Sequence, residues 1–207
     1  MLRALIYIRI IISFCDFCKP HPLDSLILPK ITFLKTILNE TQISLTIRRL
    51  AHQVLENHLD LTDTVIIGLQ PRGLFLSDKI VEELKKSLSG KIVKYGILDI
   101  TFYRDDVRRE IKVPNKTNIN FDIENKKVVL IDDVLYTGRT TRAALDALLD
   151  FGRPAKVELC VLIDRRFSRQ LPIQPDYTGK VIDALISQKV KVLWKEKDAA
   201  TEVIITE

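Results

Sequence analysis

The stretch Val128-Val-Leu-Ile-Asp132-Asp133-Val-Leu-Tyr136-Thr137-Gly138-Arg139-Thr140-Thr141 decides the fold of this chain. Its four leading apolar residues predict a strand buried on both faces. Two acids and a small-residue turn follow. From Ala143 a helical pattern sets in, with Arg142, Asp146 and Asp150 along one polar line, and Gly152 and Pro154 stop it. A buried strand that passes through a short turn into a helix is the building unit of a doubly wound sheet.

The same alternation continues in both directions. Upstream, a helix start near Asn39-Glu-Thr41 leads into Ile43, Ile47, Leu50 and Val54 at helical spacing. Residues 64–69 read as a buried strand, Pro71-Arg72-Gly73 as a turn, and Leu76, Ile80, Leu84 and Leu88 as a second helical stripe. Residues 92–102 alternate well enough for a strand. Residues 103–125 are polar and long for a connection, which predicts a mobile segment or a functional lid. Downstream come a strand over 157–163, a Pro-rich turn over 171–176, and late strands near 190–194 and 203–205. The expected fold is α/β, a doubly wound, mainly parallel sheet flanked by helices.

Composition narrows the class. The chain has 207 residues, 46% hydrophobic and 29% charged, which excludes a disordered, collagen-like or multi-span membrane protein. The net charge of +5 suits an anionic small ligand and permits nucleic-acid binding without demanding it. Three cysteines, Cys15, Cys18 and Cys160, form no disulfide framework and fit a reducing cytoplasm. Cys15 and Cys18 lack the second pair of a zinc site, so they read as small apolar side chains. The apolar run over 2–17 is broken by Arg3, Arg9 and Asp16, and it is shorter than the ~20 residues that span a bilayer. Residues 1–35 therefore read as an extension outside the fold, with one domain over 36–207 and no membrane association.

The chemistry gathers where the strand ends. In an open α/β sheet, ligands sit outside the carboxyl ends of the strands. Residues 137–141 put unsatisfied backbone N–H groups at a helix N-terminus, an anion site. Gly138 lets the backbone approach a phosphate, and the threonines add hydroxyls and caps. Asp132 and Asp133 beside such a cradle make sense if the ligand also carries a diol or a cation, as a sugar phosphate with Mg²⁺ would. The bland alternative is a surface loop with two solvated acids. A nucleotide hydrolase would need a phosphate loop with Lys and Ser/Thr, and Leu74 and Phe75 stand where the Gly68–Gly73 spacing would place them.

Residues 128–140 resemble the phosphoribosyl pyrophosphate (PRPP) motif of type I phosphoribosyltransferases. Together with Gly68-Leu-Gln-Pro-Arg72-Gly73, Asp99-Ile-Thr-Phe-Tyr103-Arg104-Asp105-Asp106, Gly152-Arg153-Pro154 and Leu171-Pro-Ile-Gln-Pro-Asp176-Tyr177-Thr-Gly179-Lys180, they are similar to the PyrR family, from about Thr36 onward. The resemblance implies a type I phosphoribosyltransferase fold with a small hood and a flexible lid. It implies that Asp132 and Asp133 hold the ribose hydroxyls, and that Tyr136, Thr137, Gly138, Arg139, Thr140 and Thr141 hold the 5′-phosphate. Gln70, Pro71, Arg72 and Gly73 form the pyrophosphate loop, with Arg72 on the leaving group. Tyr103, Arg104, Asp105 and Asp106 open the lid. Ile163, Asp164, Arg165, Tyr177 and Gly179 lie near the base. Mg²⁺ enters with PRPP, held through it and water rather than by protein ligands.

The activity implied is transfer of ribose 5-phosphate from PRPP to uracil, giving UMP. The chain would also regulate pyrimidine genes by UMP-dependent binding of operon leader mRNA, as a homodimer or homotetramer. Arg48, Arg49, His52, Arg166 and Arg169 are the candidate RNA contacts. The alternatives are a hypoxanthine-type enzyme, or an enzyme without RNA control. Where the family commonly has Asp-Arg-Gly-His-Arg, this chain reads Asp164-Arg165-Arg166-Phe167-Ser168-Arg169, and the Gly-His pair is lost.

Overall fold

The computed structural model describes residues 34–89, 91–105 and 116–207. They belong to one unit, Thr32–Glu207. Residues 1–33, with Cys15 and Cys18, lie outside the described residues, as does Asp106.

Five parallel strands form the main sheet in the order β3-β2-β4-β5-β6: β2 Thr64–Leu69, β3 Tyr95–Leu98, β4 Lys127–Leu135, β5 Lys156–Arg166 and β6 Tyr177–Asp183. Helices α1 (Glu40–His58) and α2 (Gly73–Ser87) cover one face and α3 (Arg139–Leu148) the other. The alternation within β2 states the reason for its apolar run. Ile66 packs toward α1 and α2, whereas Val65, Ile67 and Leu69 pack with Ala143, Ala144 and Ala147 of α3. Both sets leave water, at about 25 cal/mol per Å2 of apolar surface. Asn39 starts α1 through a reciprocal cap, accepting from the Gln42 N–H while the Gln42 side chain accepts from its own.

A second sheet stands apart as the hood: β1 Leu34–Leu38, β8 Glu202–Thr206 and β7 Lys189–Leu193, antiparallel in that order. Strand β1 begins two residues before the sequence boundary of 36.

Several elements differ from the sequence reading. The strand expected over 92–102 is only four residues long, and Thr101–Tyr103 turn as a 3-10 helix because the Asp99 carboxylate accepts from the Thr101 N–H and hydroxyl. Strands β1 and β6 were not legible. β1 is half exposed, and β6 is an edge strand carrying Thr178, Gly179 and Lys180, so neither shows an apolar run. β4 also runs on through both acids to Leu135.

Candidate active site

Strand order sets the place. The sheet grows from β2 to β3 on one side and to β4 on the other, so the crevice opens between the carboxyl ends of β2 and β4. The turn after β2 carries Gln70 to Arg72, with a cis bond before Pro71. The turn after β4 carries Tyr136 to Gly138. Gly73 brings the two together: a Cβ there would lie 2.6 Å from the Ile131 carbonyl oxygen, so only glycine lets α2 start against β4.

Asp132 and Asp133 lie within β4, each 8% exposed. Burial, then the charge of Asp133, pushes Asp132 well above the usual carboxylate range. Burial likewise raises Asp133 to about 6, although the Arg72 charge draws it down. Two buried acids with raised affinity for protons, at a sheet edge, need a ligand that donates hydrogen bonds or brings positive charge. The bland alternative of two solvated acids does not describe them.

Beside them a cavity of about 340 Å3 is lined by Arg104, Asp132, Gln170 and the run Tyr136 to Thr140. Gly138 occupies the helix N-cap with φ of +90°, a conformation that favours glycine. The expected threonine cap is thus absent at that position. Thr137 supplies a weaker contact, its hydroxyl accepting from the Arg139 N–H at 3.4 Å. The Thr141 hydroxyl is buried without a hydrogen-bond partner.

The start of the lid segment is tied to this cradle. Arg139 donates to Asp105 at 2.9 Å and to Gln170 at 2.8 Å, and Arg142 lies 3.4 Å from Asp105. Arg104 approaches Thr140 at 3.3 Å, and Tyr103 donates to Asp150. Lys116 is tied to the turn after β2, since Gln70 Nε2 donates to the Lys116 carbonyl at 3.3 Å. Gln170 carried no signal in the sequence beyond its place in a loop.

The base-side residues divide. Ile163 is wholly buried in the core. Asp164 pairs with Arg169. Arg165, 4% exposed, stacks on the Tyr136 ring at 4.1 Å and donates to the carbonyls of Leu185 and Gln188. Tyr177 is not brought to this site. It pairs in register with Cys160, near the amino end of the sheet, and its hydroxyl joins His58, Asn57 and Glu158. Gly179 sits where a Cβ would meet the Leu162 carbonyl oxygen at 2.3 Å, which is a packing role.

The basic residues also sort themselves. Arg49 donates to the carbonyls of Thr178 and Gly179, Arg166 forms a two-pronged pair with Asp183, and Arg169 holds Asp164 and the carbonyls of Leu135, Arg165 and Ile173. These three arginines are structural ties. Only Arg48 and His52 of the five candidates stand on an exposed face without such a role.

Among the described residues no helix is long and apolar enough to cross a membrane, and no cluster of three or more His, Cys, Asp or Glu could hold a metal ion.

Comparison with known proteins agrees with this geometry. The phosphoribosyl transferase domain family matches residues 34–196. The bifunctional protein PyrR of a Picosynechococcus species is 47% identical over 168 residues, 81% of this chain and 94% of that protein. That of Acetivibrio thermocellus is 47% identical over 173 residues, 83% and 93% of the two chains. Among solved structures, a Bacillus anthracis hypoxanthine-guanine phosphoribosyltransferase superposes with a TM-score of 0.64 at 18% identity, covering 84% of this chain and 98% of that one. The Trypanosoma cruzi hypoxanthine enzyme gives 0.65 at 16% identity, covering 84% and 95%. At such identities the structures speak for the shared fold, and the sequence relatives for the narrower kinship. The family model over residues 34–196, with relatives 47% identical over 81% and 83% of the chain, places the chain in the PyrR family of phosphoribosyltransferases.

Proposed function

We propose that the chain transfers ribose 5-phosphate from PRPP to N1 of uracil, releasing UMP and pyrophosphate. The observation that carries this is the buried pair Asp132 and Asp133 at the carboxyl end of β4, with Asp132 lining the same cavity as the N-terminus of α3. The N–H groups from Thr137 to Thr141 and the dipole of α3 hold the 5′-phosphate. The two carboxylates accept hydrogen bonds from the ribose 2′ and 3′ hydroxyls. As the bond from C1′ to pyrophosphate lengthens, the ribose takes on oxocarbenium character, and carboxylates fixed in a buried site stabilise it. Arg72 takes the charge of the departing pyrophosphate. The residues fit Mg²⁺ only as a companion of PRPP, held by diphosphate and water near the acid pair, where it would offset charge on the leaving group. The lid, tethered at Asp105 and at Lys116, excludes water from the cationic centre. Arg165 shapes the base side by pinning Tyr136.

A base-transfer assay with PRPP and radiolabelled uracil, hypoxanthine or orotate tests this. UMP should form far faster than the other nucleotides. Preference for hypoxanthine would replace the uracil reading with the purine one.

The PyrR kinship supports a second role, UMP-dependent binding of a pyrimidine-operon leader transcript in the cytoplasm. Arg48 and His52 on α1 are its strongest contacts, since Arg49, Arg166 and Arg169 serve internal bonds. Exposed Phe167, Leu185 and Ile186 support self-association as a homodimer or homotetramer. Residues 1–33 are a dispensable extension to the catalytic unit.

A further inference from the structure

Arg72 is more tightly engaged than a residue waiting for a ligand need be. Its Nη1 donates to the Val192 carbonyl of β7 at 2.7 Å and lies 3.6 Å from Asp198 Oδ2. Asp198 is itself fixed, because Oδ2 accepts from the Trp194 N–H at 3.0 Å. The turn from Trp194 to Asp198 is in turn docked on the first half of α2. Trp194 is wholly buried against Phe75, with ring centres 6.2 Å apart, and Lys79 pairs with Glu196 at 2.6 Å. The hood thus presents a carboxylate at a defined place beside the arginine that begins α2. The charge of Arg72 also acts on Asp133.

Pyrophosphate is a multiply charged anion that offers a guanidinium two-pronged hydrogen bonds. It can draw Arg72 from a single carboxylate at 3.6 Å. The same carboxylate then stands ready to take the arginine back. We propose that Asp198 is a positioning residue that competes with pyrophosphate for Arg72, and so weakens retention of that product. The proposal rests on the assignment of Arg72 to the pyrophosphate site and adds a residue of the hood to the reaction. Asp198 stands far from Arg72 along the chain, so no local pattern links the two.

The test is product inhibition by pyrophosphate against PRPP, with kcat and the two KM values, in wild type, Asp198→Asn, Arg72→Gln and the double variant. Asparagine keeps an acceptor for the Trp194 N–H while removing the charge, and Asp198→Ser serves if the first variant folds poorly. A partly exposed ion pair of this length corresponds to a change of roughly three- to fivefold. Asp198→Asn should bind pyrophosphate tighter by that factor, with KM for uracil unchanged and the gain fading at high salt. The gain should vanish in the Arg72→Gln background, and Asp198→Glu should stay near wild type. Unchanged or weaker inhibition in Asp198→Asn overturns the proposal. So does an equal gain without Arg72, which would make Asp198 a source of general repulsion. If Arg72→Gln alone leaves pyrophosphate inhibition at the wild-type level, it is the assignment of Arg72 that fails.

Discussion

The two ends of the parallel sheet each bury carboxylates, and they treat them in opposite ways. At the amino end Glu158 of β5 is surrounded by donors. His58 Nε2 and the Tyr177 hydroxyl each lie 2.7 Å from Oε2, and Lys156 lies 2.6 Å from Oε1. Thr64 and Asn57 complete the set around His58 and Tyr177. Burial alone would raise Glu158, but bonds from Lys156, Tyr177 and His58 outweigh it and hold the carboxyl at about 2. At the carboxyl end Asp132 and Asp133 are just as buried, with two negative charges on adjacent residues and Arg72 and Arg104 as the nearby cations. Their protons are held more tightly, not less. A satisfied buried acid stabilises the fold, whereas a dissatisfied one stores free energy that a ligand can release. The contrast within one sheet sets its two ends apart without reference to any motif.

The sharpest way to break this comparison is to neutralise both dissatisfied acids. Asp132→Asn with Asp133→Asn should lower PRPP-dependent UMP formation by about 10³-fold or more. The same variant should resist denaturant better at pH 7, by about 1–3 kcal/mol, because a buried like-charge pair is gone. Wild-type turnover by the folded double variant would remove the acids from the mechanism.

At the other end the signs reverse. Glu158→Ala should destabilise the protein by about 2–4 kcal/mol, since Tyr177 and His58 lose a buried partner. A denaturant titration reads this, and kcat well below the melting range should stay close to wild type. A large fall in kcat with intact stability would mean that the amino-end network reaches the active site.

Proton linkage sharpens the contrast further. The folded-state pKa of Asp133 is raised, so its ionisation penalises the fold as pH rises from about 4 to about 6. The stability gained in Asp133→Asn should therefore be absent near pH 4 and full above pH 6. Glu158 is lowered, so its contribution is complete above the ordinary glutamate range and is lost as pH falls toward 2. In the same window kcat/KM for PRPP should decline below about pH 6, as Asp133 takes up a proton in the free enzyme. A flat profile from pH 5 to 8 would contradict the need for an ionised acid.

The smallest effects belong to the surface. Arg48→Ala should weaken leader-RNA binding a few fold and flatten the log–log salt slope by about one, leaving UMP synthesis unchanged. Arg169→Ala should instead disturb catalysis, because Arg169 braces the loops beside the cradle. Binding that UMP does not alter, and that is no better than to an unrelated RNA, would limit this chain to its enzymatic role. Deletion of residues 1–30 should change neither stability nor turnover.

The sequence by itself determined the elements that are apolar throughout. Residues 64–69 and 128–131 read as buried strands, and the acid pair, the glycine turn and the helix start after them pointed to an anion site. It could not disclose strands β1 and β6, whose residues are half exposed and obtain their pairing from distant partners. Nor could it say which arginines were free. Arg49, Arg166 and Arg169 look like a basic surface when read along the chain, yet each is spent on a carbonyl or carboxylate brought up from far away. Periodicity and capping are local, so they are written in consecutive residues. Desolvation and charge pairing depend on everything within a few ångströms, which only tertiary structure assembles. That is why Tyr177 proved to belong with Glu158 at the amino end, and why Asp198 came to stand beside Arg72.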